Sequence, residues 1–301
     1  MDKVCILGID GFTGSHFLDY IQTHRLAEQY DFFGFSRTPT HVHIPISALS
    51  ATDRGALSAT LKKLQPQYIV NLIGSPQPAT LEAAVALNAT ISQWICEITL
   101  EEHLPLKKLL AIGSAAEYGV PESLPITELH PLQPVSMYGL AKAWQTQVLS
   151  YFHRKHSLPI NVARTFNIIG SGMPNYLSIG SFAEQIRTLG DVGKLLVGNI
   201  ESKRDFLNIN DVIDAYWKIL IDAPSGEIYN VCNGSSLSMR EILQTMIKAS
   251  HKNITIHLDQ QRVKRHDVPD IYGDNQKLQQ ATNWKPSGTL TAELTEIVQA
   301  S

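Results

Sequence analysis

Val4-Cys5-Ile6-Leu7-Gly8-Ile9-Asp10-Gly11-Phe12-Thr13-Gly14 is the stretch whose reading decides the fold. Residues 4–8 form a short apolar run with β-branched side chains and read as a strand. Residues 15–24 place Phe17, Leu18 and Ile21 at helical spacing and read as a helix. Between them lie glycines in a G-x-x-G-x-x-G pattern. Such glycines permit a tight turn, let the backbone approach a pyrophosphate, and let the helix pack closely on the strand. The helix N-terminus then receives the phosphate charge. Gly8, Gly11, Phe12, Thr13 and Gly14 are therefore candidate cofactor-binding residues. The competing reading is a purely structural strand–turn–helix; the position directly after the first strand favours a dinucleotide.

Working outward, strands and helices alternate. Strands are read at 30–35, 42–46 (weakened by Pro45), 67–73, 106–112 and 160–164, and helices at 53–64, 81–100 and 137–156. Alternation of this kind predicts a doubly wound parallel α/β sheet of Rossmann type. The strands are apolar on both faces, as a sheet covered by helices on both sides requires. Beyond Asn167 the periodicity loosens, which predicts a smaller mixed α/β lobe. The expected division is residues 1–167 plus about 205–232 for the dinucleotide-binding domain, and 168–204 plus 233–301 for the substrate lobe.

The remaining composition narrows the classes. The chain has 301 residues, 44% hydrophobic, with a net charge of −3. That length holds one large domain or two joined lobes. There is no basic stripe of the kind nucleic acid selects. The first apolar run is broken at Asp10, too early for a signal peptide, and no run approaches the ~20 residues of a membrane helix. Cys5, Cys96 and Cys232 are isolated, so neither a disulfide framework nor a zinc site is expected. His41, His43, His153 and His156 lack nearby cysteines or clustered carboxylates, and no metal is expected. A cytoplasmic protein is the plain expectation.

Cofactor choice is read at the end of the second strand, Phe33-Gly34-Phe35-Ser36-Arg37-Thr38. An acidic residue there would bind the ribose 2′-hydroxyl of NAD. None is present, and Arg37 offers a grip for a 2′-phosphate. NADP(H) is thus favoured over NAD(H), with a solvated surface arginine as the alternative. The chemistry is read at Tyr138-Gly-Leu-Ala-Lys142, where the spacing puts a phenol and an ammonium on one helix face. A cation there favours the phenolate. Tyr151-Phe-His-Arg-Lys155 has the same spacing. It follows no strand end that carries a serine and reads as ordinary helix. Ser114 follows the strand at 106–112, at a carboxyl end, where open α/β sheets build their sites.

Ser114, Tyr138, Lys142 and the glycine turn together resemble the extended short-chain dehydrogenase/reductase family, within its NAD(P)-dependent epimerase/dehydratase branch. The resemblance runs through the chain. Asn71-Leu72-Ile73-Gly74 stands where that family has a strand ending beside the cofactor. Asn88 heads the family's next segment, and Arg164-Thr165-Phe166-Asn167-Ile-Ile-Gly170 matches its Arg-x-x-Asn-x-x-Gly. Arg204-Asp205-Phe206 through Asp211 resembles its Arg-Asp-Phe motif, and 267–286 resembles its C-terminal signature. One departure is visible: Ser50 stands where an aspartate normally approaches the adenine.

The resemblance implies roles. Ser114 holds the substrate oxygen, Tyr138 exchanges the proton, and Lys142 binds the nicotinamide ribose and lowers the tyrosine pKa. Ser36, Arg37, Leu72, Ile73, Gly74 and Thr165 complete the cofactor set. Ser114, Glu117, Asn167, Arg204 and Arg265 bind a nucleotide sugar. Arg262, Lys264 and Arg265 read equally well as a solvated basic run. A dehydratase would carry a carboxylate at the position of Ala116, and an epimerase–reductase a cysteine and a histidine; neither is found. Reduction of the C4 ketone of a nucleotide-linked 4-keto-6-deoxy sugar is the resulting expectation. Gly113-Ser114-Ala-Ala-Glu117-Tyr-Gly looks most like the branch that reduces GDP-4-keto-6-deoxy-D-mannose to GDP-D-rhamnose. A 4-epimerase with bound NAD and a non-catalytic dinucleotide-binding subunit are the alternatives. Pairing of two chains through the helices at 81–100 and 137–156, as in many members, is also implied.

Overall fold

The computed structural model describes residues 1–37, 44–50, 52–262 and 268–299. In chain order, β1 (Asp2–Leu7), β2 (Tyr30–Ser36), β3 (Ile46–Ala48), β4 (Tyr68–Asn71), β5 (Lys108–Ser114) and β6 (Ile160–Thr165) build one sheet. β7 (Asn167–Ile169), β8 (Val192–Val197) and β9 (Lys203–Asn208) leave it, and β10 (Ile228–Val231) returns. The sheet order is β10-β6-β5-β4-β1-β2-β3, and every pairing is parallel. The order reverses at β1, and a crevice opens beyond the carboxyl ends of β1 and β4.

Helices cover both faces, for the reason the sequence gives: strand side chains on both sides are apolar and need cover. On one face lie α1 (Phe12–Thr23) and, further along the chain, α7 (Ile209–Ile221). Phe17, Ile21, Ile213 and Trp217 join Val4, Ile6 and Val70 of the sheet there. On the other face are α2 (Arg54–Leu64), α3 (Leu81–Val85), α4 (Ile91–Glu101) and α5 (Met137–His156). Leu57, Leu61, Ile95, Leu149 and Phe152 pack there against Leu7, Ile69 and Val162.

Two elements differ from their sequence reading. The third strand begins at Ile46 rather than at 42; residues 42 and 43 lie outside the described chain. Pro45 has no N–H to donate, and its carbonyl instead accepts Gly34 N–H at 2.9 Å, so laddered pairing starts after it. The helix expected over 81–100 is split by a π-helical turn, Ala86–Thr90. Buried Asn88 sits in this turn. Its Nδ2 donates to Ser75 O (3.1 Å) and Ala84 O (3.0 Å), and its Oδ1 accepts Ser75 N–H (3.0 Å). The extra residue lets the side chain reach the loop after β4, a common use of a π-turn beside a site.

The second lobe gathers α6 (Ser178–Thr188), β8, β9, β11 (Ser236–Ser238), α8 (Met239–Ser250), β12 (Asn253–Leu258), β13 (Asp270–Ile271) and α10 (Thr291–Gln299). β9 pairs with β7, β11 and β13, and β8 pairs with β12. Ile179, Ile186, Leu195, Phe206, Leu243 and Leu294 form its core. The stretch 276–287, which includes α9 (Gln276–Thr282), goes elsewhere. Leu278 and Trp284 pack into the α1–α7 cluster, and Trp284 Nε1 donates to Asp211 O at 3.1 Å.

Candidate active site

The glycine turn is built as its spacing demands. Gly8 has φ +83°, a backbone that side chains disfavour, and its N–H donates to Phe35 O at 2.9 Å. A Cβ on Gly14 would lie 2.5 Å from the Ile9 carbonyl carbon, so α1 approaches the turn as closely as it does only because Gly14 has none. Gly11 caps α1 without a side-chain oxygen, and a Cβ there would meet only Gly8 O, at 3.4 Å. The first-turn N–H groups therefore face a space suited to a phosphate rather than to their own side chains.

This turn, the ends of β4 and β5 and the start of α5 enclose one cleft. Gly8, Gly11, Phe12, Thr13, Gly14, Leu72, Gly74, Ser114, Tyr138, Lys142 and Thr165 all line it. The crevice thus brings together the glycine turn and the Ser/Tyr/Lys set that the sequence places far apart. The N-cap of α5 is Ser136, whose Oγ accepts Gly139 N–H at 3.0 Å; this starts the helix so that Tyr138 falls in its first turn.

Tyr138 is half-buried, and desolvation pushes its phenol up to about 12, with a hydrogen bond to Ser114 acting the other way. Lys142 is 3% exposed, and burial pulls its ammonium down to about 8. Its Nζ donates to Ile112 O (2.7 Å) and Gln145 Oε1 (3.2 Å) and lies 6.0 Å from the Tyr138 ring centre. Burial outweighs the lowering from Ser114, and Tyr138 is held as a neutral acid. A buried chain continues from Lys142. Gln145 Nε2 donates to Ser92 Oγ (2.7 Å), which also accepts from Asn71 Nδ2 (2.9 Å).

Other expected residues lie apart from this cleft. Ser36 ends β2 beside the turn and Arg37 follows it; Arg37 is exposed, and Ser36 Oγ is buried without a partner among the described residues. An orphaned hydroxyl and an exposed guanidinium at this strand end fit the adenosine half of a dinucleotide. Ile73 turns away into the core of the opposite face. Asn167 is exposed and donates to Asp205 O at 2.9 Å. Arg204 Nη1 donates to Val268 O (2.6 Å) and Lys203 O (2.7 Å). Arg265 lies outside the described residues. Glu117 corrects its expectation most plainly. It is 0% exposed, and both its oxygens are engaged below the cleft, so it has no face toward a substrate.

The sequence reading missed Tyr216 and Tyr176, both of which line the cleft. Tyr216 OH meets Thr165 Oγ1 at 2.7 Å. In the sequence it is one more apolar-face residue of a helix, with nothing to distinguish it from core. Tyr176 comes from the irregular loop before α6, where Gln77 Nε2 donates to its carbonyl at 3.2 Å. The second Tyr/Lys spacing is a surface pair: Lys155 Nζ donates to the exposed Tyr151 hydroxyl at 2.8 Å. Among the described residues no group of histidine, cysteine and carboxylates could hold a metal ion, and no helix is long and apolar enough to cross a membrane.

Fold and cleft together define a nucleotide-binding α/β enzyme, and the comparison of sequences states which. Residues 4–232 match the model of the NAD dependent epimerase/dehydratase family, and the chain belongs to that family. It is similar to GDP-6-deoxy-D-mannose reductase of Pseudomonas aeruginosa, 30% identical over 63% of this chain and 64% of that one, just under two thirds of the relative's length. It is 23% identical to GDP-6-deoxy-D-talose 4-dehydrogenase of Aggregatibacter actinomycetemcomitans over 92% of this chain and 90% of the relative. UDP-arabinose 4-epimerase 1 of Arabidopsis thaliana is 27% identical over 69% of this chain and 54% of that one. In fold it resembles the structure of RMD from Pseudomonas aeruginosa complexed with NADPH (TM-score 0.84, 23% identity, 99% of this chain and 98% of that one).

Proposed function

We propose that this chain reduces the C4 ketone of a nucleotide-linked 4-keto-6-deoxy sugar with NADPH, and that the substrate is GDP-4-keto-6-deoxy-D-mannose, giving GDP-D-rhamnose. The observation that carries the reading is the single cleft shared by the glycine turn, Ser114, Tyr138 and Lys142. The reductase and dehydrogenase names among the relatives support the reaction class, and both act on GDP-linked sugars.

A bound nicotinamide would supply the hydride. The chain's own residues do the rest. Ser114 and Tyr138, which line the same cleft, converge on the ketone oxygen and stabilise the charge it gains. Tyr138 then donates its proton. Burial keeps the phenol protonated at working pH, the state from which reduction draws its proton. Lys142, fixed by Ile112 O and Gln145, holds its ammonium under the tyrosine and toward the cofactor ribose. The first-turn N–H groups of α1 bind the diphosphate, and Arg37 grips the 2′-phosphate, which is the basis for preferring NADPH. The titration that separates this cofactor preference from its absence is turnover with NADPH against NADH, each well below saturation.

A 4-epimerase with retained NAD is the second reading, favoured by relatives named as 4-epimerases. Against it stands the missing acidic residue after β2. The proposal includes pairing of two copies through the helices at 81–100 and 137–156, supported by the exposed apolar stripe of Leu140, Trp144 and Tyr151 beside a groove reaching Glu97. Incubating the purified chain with NADPH and a panel of GDP-, dTDP- and CDP-linked 4-keto sugars, while following cofactor oxidation, tests the reading. Oxidation specific to a 4-keto sugar supports it; interconversion of 4-epimers without net oxidation favours the epimerase.

A further inference from the structure

Ser114 ends β5, whereas Tyr138 and Lys142 ride on α5. The proposed reacting set is thus divided between two elements, and a misplacement near 1 Å between them costs about 100-fold in rate. Glu117 touches both. Its Oε1 accepts the Ser114 N–H at 2.9 Å, closing a capping box in which Ser114 Oγ accepts Ala116 N–H at 3.2 Å. Its Oε2 accepts Thr146 Oγ1–H at 2.8 Å and Arg164 Nε–H at 2.8 Å. Thr146 follows Lys142 by four residues and Tyr138 by eight, so all three share one face of α5. One carboxylate thereby ties the serine's strand end to the helix of the tyrosine and lysine, with Arg164 on β6 as its counter-ion.

Stability is a weak reason for this arrangement. Replacing a buried ion pair by apolar residues of similar volume is often neutral or even stabilising. Yet Arg164 and Glu117 are 3% and 0% exposed, and the arginine is further held by Tyr118, whose hydroxyl accepts Nη1–H at 3.1 Å and whose ring lies 4.9 Å away.

We propose that Glu117 is a positioning residue: its carboxylate, paired with Arg164, locks the Ser114 main chain to the face of α5 that carries Tyr138 and Lys142 and places its charge beneath them. The proposal rests on the reductase reading of those three residues. The charge acts in one direction on both partners, raising the proton affinity of Tyr138 and of Lys142. The other titratable groups facing the pair are Arg164 from β6, bound to Glu117 itself, Tyr216 from α7 and Tyr176 from the loop before α6.

Two variants test it. Thr146→Val cuts the tie to α5 and leaves the ion pair. Glu117→Gln with Arg164→Met removes both charges but keeps bulk and an acceptor for the Ser114 N–H. In a wild-type enzyme that oxidises NADPH with a 4-keto sugar, both variants are expected to keep KM for NADPH within about twofold and to lose about 10–100-fold in kcat. The double variant should also shift the basic limb of its kcat profile to lower pH. Folded variants with wild-type kcat and an unmoved profile would overturn the proposal. If the double variant does not fold, Thr146→Val decides alone, by the same kcat criterion. Hydrogen exchange at the Ser114 amide gives a readout without turnover: it should speed up at least about threefold in Thr146→Val. Unchanged protection there overturns the tie even if the wild type reduces no sugar, an outcome that would sink the reductase reading separately.

Discussion

Tyr138 shares its helix with a second tyrosine followed four residues later by a lysine, and the two pairs differ in everything the spacing omits. Tyr151 is 46% exposed and its partner lysine reaches it through solvent; Tyr138 lines the cleft and Lys142 is buried. Tyr138→Phe is expected to lower kcat about 10²–10⁴-fold while NADPH still quenches protein fluorescence; near-normal turnover would remove Tyr138 from the chemistry. Lys142 makes a pH claim. Its pKa falls from 10.5 to about 8 on burial, so its ammonium is lost in the folded chain as pH rises through about 8. A basic limb near that pH is expected in kcat/KM, and Lys142→Arg should remove it. The sign for stability is opposite. The unfolded chain holds this proton more tightly, so the site contributes rising stability between about pH 8 and 10.5 and loses it as pH falls. Arg37→Ala should raise KM for NADPH about 10–100-fold with little change for NADH, measured side by side. At this scale the sequence marks residues with a motif, such as Gly8 or Ser114. It hides Glu117 and Tyr216. Whether a carboxylate faces a substrate or an arginine 47 positions away is a matter of packing, not of spacing.

At the scale of elements, the glycine turn shows how a short pattern fixes geometry. Gly14→Ala would push a methyl group into the Ile9 carbonyl. α1 must then move off the turn, with a cost on the order of 1–3 kcal/mol and weaker cofactor binding, read by thermal denaturation with and without NADPH. Helix α5 is legible to its ends, because Ser136 is a side-chain cap and Ser157 takes the left-handed conformation that stops it. The third strand and the π-turn are less so. Pro45 moves the ladder by removing a donor, and Asn88 distorts a helix to reach Ser75; both effects depend on partners distant in sequence.

For the whole molecule, a parallel sheet with its crevice at the order reversal follows from the alternation of strands and helices, and the family match agrees with it. Beyond Asn167 the sequence shows only a loss of pattern. The strands there are short, and residues 276–287 return to pack Trp284 against α7, which no local periodicity signals. The α4–α5 surface makes a prediction at this scale: in the proposed pairing of two copies, Trp144, 53% exposed, is the expected anchor. Trp144→Glu should convert a dimer to a monomer in sedimentation equilibrium, and a wild type that sediments as a monomer would remove the interface. The central claim is the reaction itself. Purified chain, NADPH and GDP-4-keto-6-deoxy-D-mannose should give cofactor oxidation matched mole for mole by GDP-D-rhamnose. No oxidation with that or any other nucleotide-linked 4-keto sugar, from a folded chain that binds NADPH, would contradict it.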